Sequence, residues 1–286
     1  MSGQVFELED VDITFLQRRP GHHDLVANDL DRGLLLIDPW RGRIVDRRPF
    51  TDGVAGAGCI DSWCLRADGK LAIVFNDERQ RGCLVRFDGG PPTDVQYPAW
   101  NDTVAMPYDW RGDDLWLKHP RLFEFGVVRG VDLATCRPSD GFEALQENRG
   151  WRRAIDRRRR VDGHSAHVEP ELGRMLWFSA PEEGQPRIGT VSWVGDPDLS
   201  VPVDQVPPRL AASGTTLIAL HEYRVEVITE TGQRVAELPP APGFHYMAVE
   251  AIAASEPHPA AFVTAAHALD GRALMRFEVV PLPPLG

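Results

Sequence analysis

The chain is poor in lysine, in cysteine and in long apolar runs. Of its 31 basic residues only Lys70 and Lys118 are lysine, a bias that reflects a GC-rich coding sequence rather than a binding function. The four cysteines (Cys59, Cys64, Cys83 and Cys136) form no CxxC pair and no zinc-like spacing, and they read as reduced, mostly buried thiols. The opening stretch, MSGQVFELEDVDITFLQRRP, has no basic segment followed by an apolar one, so a secretory signal is not expected. No apolar run approaches the ~20 residues that span a bilayer. A soluble cytoplasmic protein is the resulting expectation. GxSxG, P-loop and GxGxxG patterns are missing as well, which argues against α/β-hydrolases, NTPases and dinucleotide enzymes. The net charge of −11 disfavours nucleic acid and anionic lipid as partners.

What the chain does have is turns and short apolar strands. Gly (26) and Pro (24) make up about one residue in six of the 286, too many for a chain of long helices. A phrase of small turn, apolar strand, polar turn and apolar strand recurs: DRG-LLLID/GRIVD, ADGK-LAIVF/GCLVRF, RGDD-LWLKH/RLFEFGVV, ELGR-MLWFS/RIGTVSWV, SGTT-LIAL/YRVEVIT and EPHPA-AFVTA/RALMRFEVV. The turn positions are Gly33, Gly69, Gly112, Gly173, Gly214 and Ser255, at spacings of 36, 43, 61, 41 and 41 residues. Repeats of ~40–50 residues, each with about four strands, are blades of a β-propeller. Near-continuous apolar strands fit sheets covered on both faces. The expected fold is therefore all-β, a single propeller domain over residues 1–286, with six blades. VFELEDVDITFL is left over at the start, and pairing it with the last blade would close the ring.

The 61-residue spacing marks an insertion, about 139–162, before the fourth blade. Asp140 and Glu143 form a capping-box pattern, and Phe142, Leu145, Trp151 and Ile155 an apolar stripe, so a short helix interrupted near Gly150 is expected. Arg149–Arg160 holds seven arginines and one aspartate. It reads either as a solvated basic face or as a docking element for an acidic partner.

Counting back nine residues from the turns reaches Asp24, His164, Gln205 and Tyr246, while Asp61 and Asp102 adjoin the equivalent Ile60 and Thr103, and His245 adjoins Tyr246. If these positions start the innermost strands, ring symmetry gathers them at one channel mouth. Asp24, Asp61 and Asp102 are then candidate ligands for a divalent metal (Ca, Mg, Mn or Zn), and His164, His245 and Asp102 candidate acid/base groups. Trp63, Trp100 and Tyr108, with Gln205 and Tyr246, are candidate walls of a pocket for a small-molecule ligand. The same polar residues also serve as backbone caps at strand starts, and the aromatics as blade-to-blade packing.

The phrases RADGKLAIVF and TETGQRVAEL resemble those of the broad propeller group that contains gluconolactonase/SMP-30-like, NHL-repeat and streptogramin-lyase-like proteins. The resemblance implies a propeller over most of the chain. The EGP motif of gluconolactonase-like proteins and the GH…WD signature of WD40 blades are both missing, so no catalytic residue is carried over. Two functions follow as expectations. The first is a small-molecule enzyme of hydrolase, lyase or isomerase type, using a pocket at the channel mouth. The second is a non-catalytic scaffold that docks a protein through the arginine-rich insertion or a propeller face.

Overall fold

The recurring apolar phrases become strands of four-stranded antiparallel sheets. The computed structural model describes residues 4–30, 32–56, 62–66, 68–76, 81–95, 97, 99–100, 103–104, 106–111, 114–118, 125–128, 142–144, 167–169, 174–179, 187–192, 199–202, 209–213, 216–229, 231–255 and 257–282. After β1 (Gln4–Glu9), the first sheet is β2 (Leu16–Arg18), β3 (Leu25–Asp29), β4 (Gly33–Asp38) and β5 (Arg43–Pro49). The second is β6 (Ser62–Leu65), β7 (Leu71–Asn76), β8 (Arg81–Arg86) and β9 (Thr93–Val95). A two-stranded ladder, β10 (Ala99–Trp100) with β11 (Thr103–Val104), precedes the third, β12 (Met106–Arg111), β13 (Asp114–Lys118), β14 (Phe125–Val128) and β15 (Phe142–Ala144). The fourth is β16 (His167–Glu169), β17 (Arg174–Ser179), β18 (Arg187–Ser192) and β19 (Leu199–Pro202). The fifth is β20 (Arg209–Ser213), β21 (Thr216–His221), β22 (Arg224–Ile228) and β23 (Arg234–Leu238). The sixth is β24 (Phe244–Ile252), β25 (Ala261–Ala268) and β26 (Leu274–Pro281), completed by β1.

First strands of neighbouring sheets pack on one another, β24 against β2 and β20, and β6 against β12, which places them around a central axis. The fold is an all-β propeller. We call the face where these innermost strands begin the upper face, and the other the lower face.

Alternation along the middle strands explains the continuous apolar runs. Leu71, Ile73 and Phe75 of β7 face the third sheet and pack with Trp110, Leu115 and Leu117. Ala72 and Val74 of the same strand point the other way, onto Val26, Leu34 and Leu36 of the first sheet. β21 divides likewise, with Ile218 and Leu220 toward the sixth sheet and Leu217 and Ala219 toward Ile188 and Val201 of the fourth. Successive strand residues point to opposite faces, so a strand sandwiched between two sheets must be apolar at every position. Each fully buried aliphatic side chain contributes about 1.5–3 kcal/mol. Outer strands are different: β5 alternates exposed and half-buried along its whole length.

The leftover N-terminal strand closes the ring. β1 pairs antiparallel with β26, from Gln4 opposite Val279 to Glu9 opposite Leu274. The opposed Phe6 and Phe277 rings stack at 4.8 Å with their planes within 1°. Among the described residues no helix is long and apolar enough to cross a membrane.

Two sequence expectations are corrected here. Phe142–Ala144 is not the first turn of a helix: it is the strand β15, paired with Gly126–Val128 of β14. Pairing along a free sheet edge supplies ladder hydrogen bonds that outweigh a local capping pattern. The rest of the expected insertion, Arg149–Arg160 included, lies outside the described residues. The register of the first sheet also differs. Gly69 and Ser255 follow the first strands of their sheets, but Gly33 begins β4, the third strand of its own. The true innermost strand is the three-residue β2, too short to stand out in the sequence.

Candidate functional site

That register change moves Asp24 to the other end of the molecule. It sits in the turn between β2 and β3, on the lower face, and not at the start of an innermost strand. Its carboxylate is held by Arg19, whose Nη1 donates to Asp24 Oδ2 at 2.8 Å. The same guanidinium donates from Nε to the Gly69 carbonyl oxygen at 2.6 Å and lies over the Phe87 ring at 5.1 Å. Gly69 has φ +66°, and a Cβ there would run into the Pro20 carbonyl oxygen, so only glycine fits between the two turns. His22 of the same turn is held below the ordinary imidazole range by burial and by Arg19. Asp24 is thus committed to a clasp between the first and second sheets.

At the upper face the residues behave differently from one another. Tyr246 is 4% exposed, packs with Phe262 and Val249, and donates its hydroxyl to the Pro239 carbonyl oxygen at 3.0 Å. Burial pushes its phenol well above the usual range, so it is a structural group and not a pocket wall. His245 precedes it at the start of β24, and its buried Nδ1 has no hydrogen-bond partner among the described residues. Directly across the ladder stands His267 of β25, with ring centroids 5.7 Å apart in an edge-to-face arrangement. Sequence reasoning named His245 and missed His267, because the pairing register that joins them is set by the fold. Trp63 is half-buried and packs into the cluster between the first and second sheets. Trp100 lies on β10 and Tyr108 on β12, with their side chains outside the described residues. Asp61, Asp102, His164 and Gln205 also lie outside them. Among the described residues no group of three or more His, Cys, Asp or Glu could hold a metal ion.

One further upper-face residue went unread in the sequence. Arg209, the first residue of β20, reaches across to the segment before β2. Its Nη2 donates to the Thr14 carbonyl oxygen at 3.2 Å, and its guanidinium lies over the Phe15 ring at 4.1 Å. That segment is itself fixed by buried Asn28, whose Oδ1 accepts from Thr14 N at 3.1 Å and Phe15 N at 2.7 Å. Burial alone lowers the Arg209 pKa, and among the described residues no carboxylate pairs with it.

The cysteines follow expectation where they are described. Cys64 and Cys83 are both buried, and desolvation pushes the Cys83 thiol up to about 12.

No family model matches the chain, and no curated protein matches it in sequence. Solved structures do resemble it in fold. The β-propeller domain of Myceliophteria thermophila Cps50 (Swd1) superposes with a TM-score of 0.60 at 12% identity, over 97% of this chain and 99% of that one. The WD40 repeats of RRP9 give a TM-score of 0.56 at 10% identity, over 98% and 97%. The small-molecule enzyme expected from the sequence is therefore corrected. Its neighbours in fold are a β-propeller domain and a set of WD40 repeats, and of the six ring positions Asp24 lies on the lower face and Tyr246 is buried in the core.

Proposed function

We propose that this chain is a non-catalytic interaction scaffold, a propeller of six blades that docks a protein partner on its upper face. The observation that carries this reading is a pair of exposed apolar side chains. Tyr223, 64% exposed, tops the β21–β22 turn, and Leu269, 61% exposed, tops the β25–β26 turn of the next sheet. They are the most exposed large apolar residues among those described. Both turns are braced: Tyr246 N donates to the Glu222 carbonyl oxygen at 3.2 Å, and Leu269 N to the Gly243 carbonyl oxygen at 2.8 Å. Apolar groups held rigidly in water on adjacent turns lose little entropy when a partner covers them. The arginines of Arg149–Arg160 are a second contact in this reading, for an acidic surface of the partner.

Affinity capture from the source cells tests the proposal by comparing three proteins: wild type, Tyr223→Ser with Leu269→Ser, and a variant with Arg157 to Arg160 replaced by Ser. Substitution is preferable to deleting the insertion, because Phe142–Ala144 is the outer strand of the third sheet. A partner retained by wild type and lost from the Tyr223/Leu269 variant, at unchanged melting temperature, is the expected result. A partner set identical for wild type and that variant would overturn the upper-face assignment.

A further inference from the structure

Among the described residues the half-buried Arg209 guanidinium has no charged partner. A carbonyl oxygen and a ring face offset part of its charge. Buried cations are ordinarily paired, since desolvation costs several kcal/mol that an anion must offset. The side chain is also held ready. Thr14 and Phe15, on which it rests, are fixed by Asn28, whose Nδ2 donates to Thr14 Oγ1 at 2.8 Å. An arginine held at one end and, among the described residues, without an anion is preorganised to receive a carboxylate.

Its place in the fold gives the partner's remaining chemistry. Arg209 opens β20, the innermost strand next to β24. Tyr246 of β24 and Gly243 just before it are bonded to the two turns that carry Tyr223 and Leu269. A cation at the channel mouth and two apolar contacts on the rim therefore lie on the same face of adjacent sheets.

We propose that Arg209 anchors an Asp, Glu or C-terminal carboxylate of a partner peptide whose neighbouring apolar residues cover Tyr223 and Leu269. The inference rests on the scaffold reading above and adds the identity of the anchor and the chemistry of the segment it holds. The partner is thus an acidic peptide with adjacent apolar residues, not a basic one.

A random peptide library displayed on phage, selected against the intact protein, tests this. Wild type is expected to enrich peptides with a carboxylate at one fixed position beside apolar residues. The best such peptide, fluorescein-labelled, is then titrated by anisotropy against wild type, Arg209→Met and Arg209→Lys, alongside its Asp→Asn or Glu→Gln counterpart. A charge-assisted hydrogen bond predicts about a 30-fold loss of affinity for Arg209→Met, partial recovery for Arg209→Lys, and no further loss when both sides are changed. Melting temperatures of the two variants separate lost binding from lost folding. Peptides selected without a carboxylate preference, or bound equally by Arg209→Met, would overturn the anchor and leave the scaffold standing. If the library yields no binding peptide, both readings fall.

Discussion

Arg19 Nε and the Gly69 carbonyl oxygen, 2.6 Å apart, tie the lower-face turn of the first sheet to that of the second. The same guanidinium clasps Asp24 at 2.8 Å, so one side chain joins two turns that are 50 residues apart in sequence. Asp24→Ala leaves a mostly buried cation without its counterion. The expected loss is about 2 kcal/mol, read from urea denaturation. A variant as stable as wild type would mean that the carboxylate is free for another partner.

Gly82 and Tyr97 make a comparable lock in the second sheet. A Cβ at Gly82 would run into the Tyr97 ring and the Val74 carbonyl oxygen, to which Tyr97 donates its hydroxyl at 3.0 Å. Gly82→Ala should cost about 3 kcal/mol or prevent folding, whereas Tyr97→Phe should cost about 1 kcal/mol. Equal losses for the two would place the strain elsewhere.

A histidine beside a buried carboxylate makes the fifth sheet sensitive to pH. Glu226 is buried and forms ion pairs with Arg224 at 2.8 Å and Arg234 at 2.9 Å, with His221 Nε2 at 3.6 Å. Desolvation lowers the His221 pKa below 6.5, helped by Arg224 and Arg234 and opposed by Glu226. A depressed imidazole pKa means that the unfolded chain takes up the proton first as pH falls. Stability contributed by neutral His221 is therefore present above pH 6.5 and is lost on acidification below it. Melting temperature should fall between pH 7.5 and 5.5, and less steeply for His221→Gln. Parallel slopes for the two proteins would remove His221 as the cause.

Ring closure depends on β1. Phe6→Ala removes a stacked, half-buried ring from the strand that completes the sixth sheet. A loss of about 2 kcal/mol is expected, smaller than for a fully buried Phe. Hydrogen exchange should show faster exchange along β26, the strand β1 covers. Protection that stays at the wild-type level would show that the ring closes without that contact.

The propeller itself was legible because the same turn-and-strand phrase occurs six times, and the closing strand because one strand was left without a partner. The register of the first sheet was not. LLLID is as apolar as the second strands of the other sheets, although it is a third strand. The real second strand, LVAND, ends in Asn28 and Asp29, which are buried to hold the preceding loop through Asp12, Thr14 and Phe15. A sequence pattern reports apolar and polar, not which polar residue is buried for a backbone contact. Phe142–Ala144 misled for a related reason: a capping pattern is local, whereas its pairing with β14 is not. The upper-face residues Arg209, Tyr223, Leu269 and His267 come from three hairpins and share a face only through the ring, so no window of sequence holds them together.

The most direct test of the docking face is site-specific photo-crosslinking in the source cells. Benzoylphenylalanine replaces Tyr223 on the upper face in one protein and His23 on the lower face in another. The account predicts a discrete crosslinked species from position 223 and none from position 23. Crosslinking from position 23 alone, or from neither position, would contradict an upper-face scaffold.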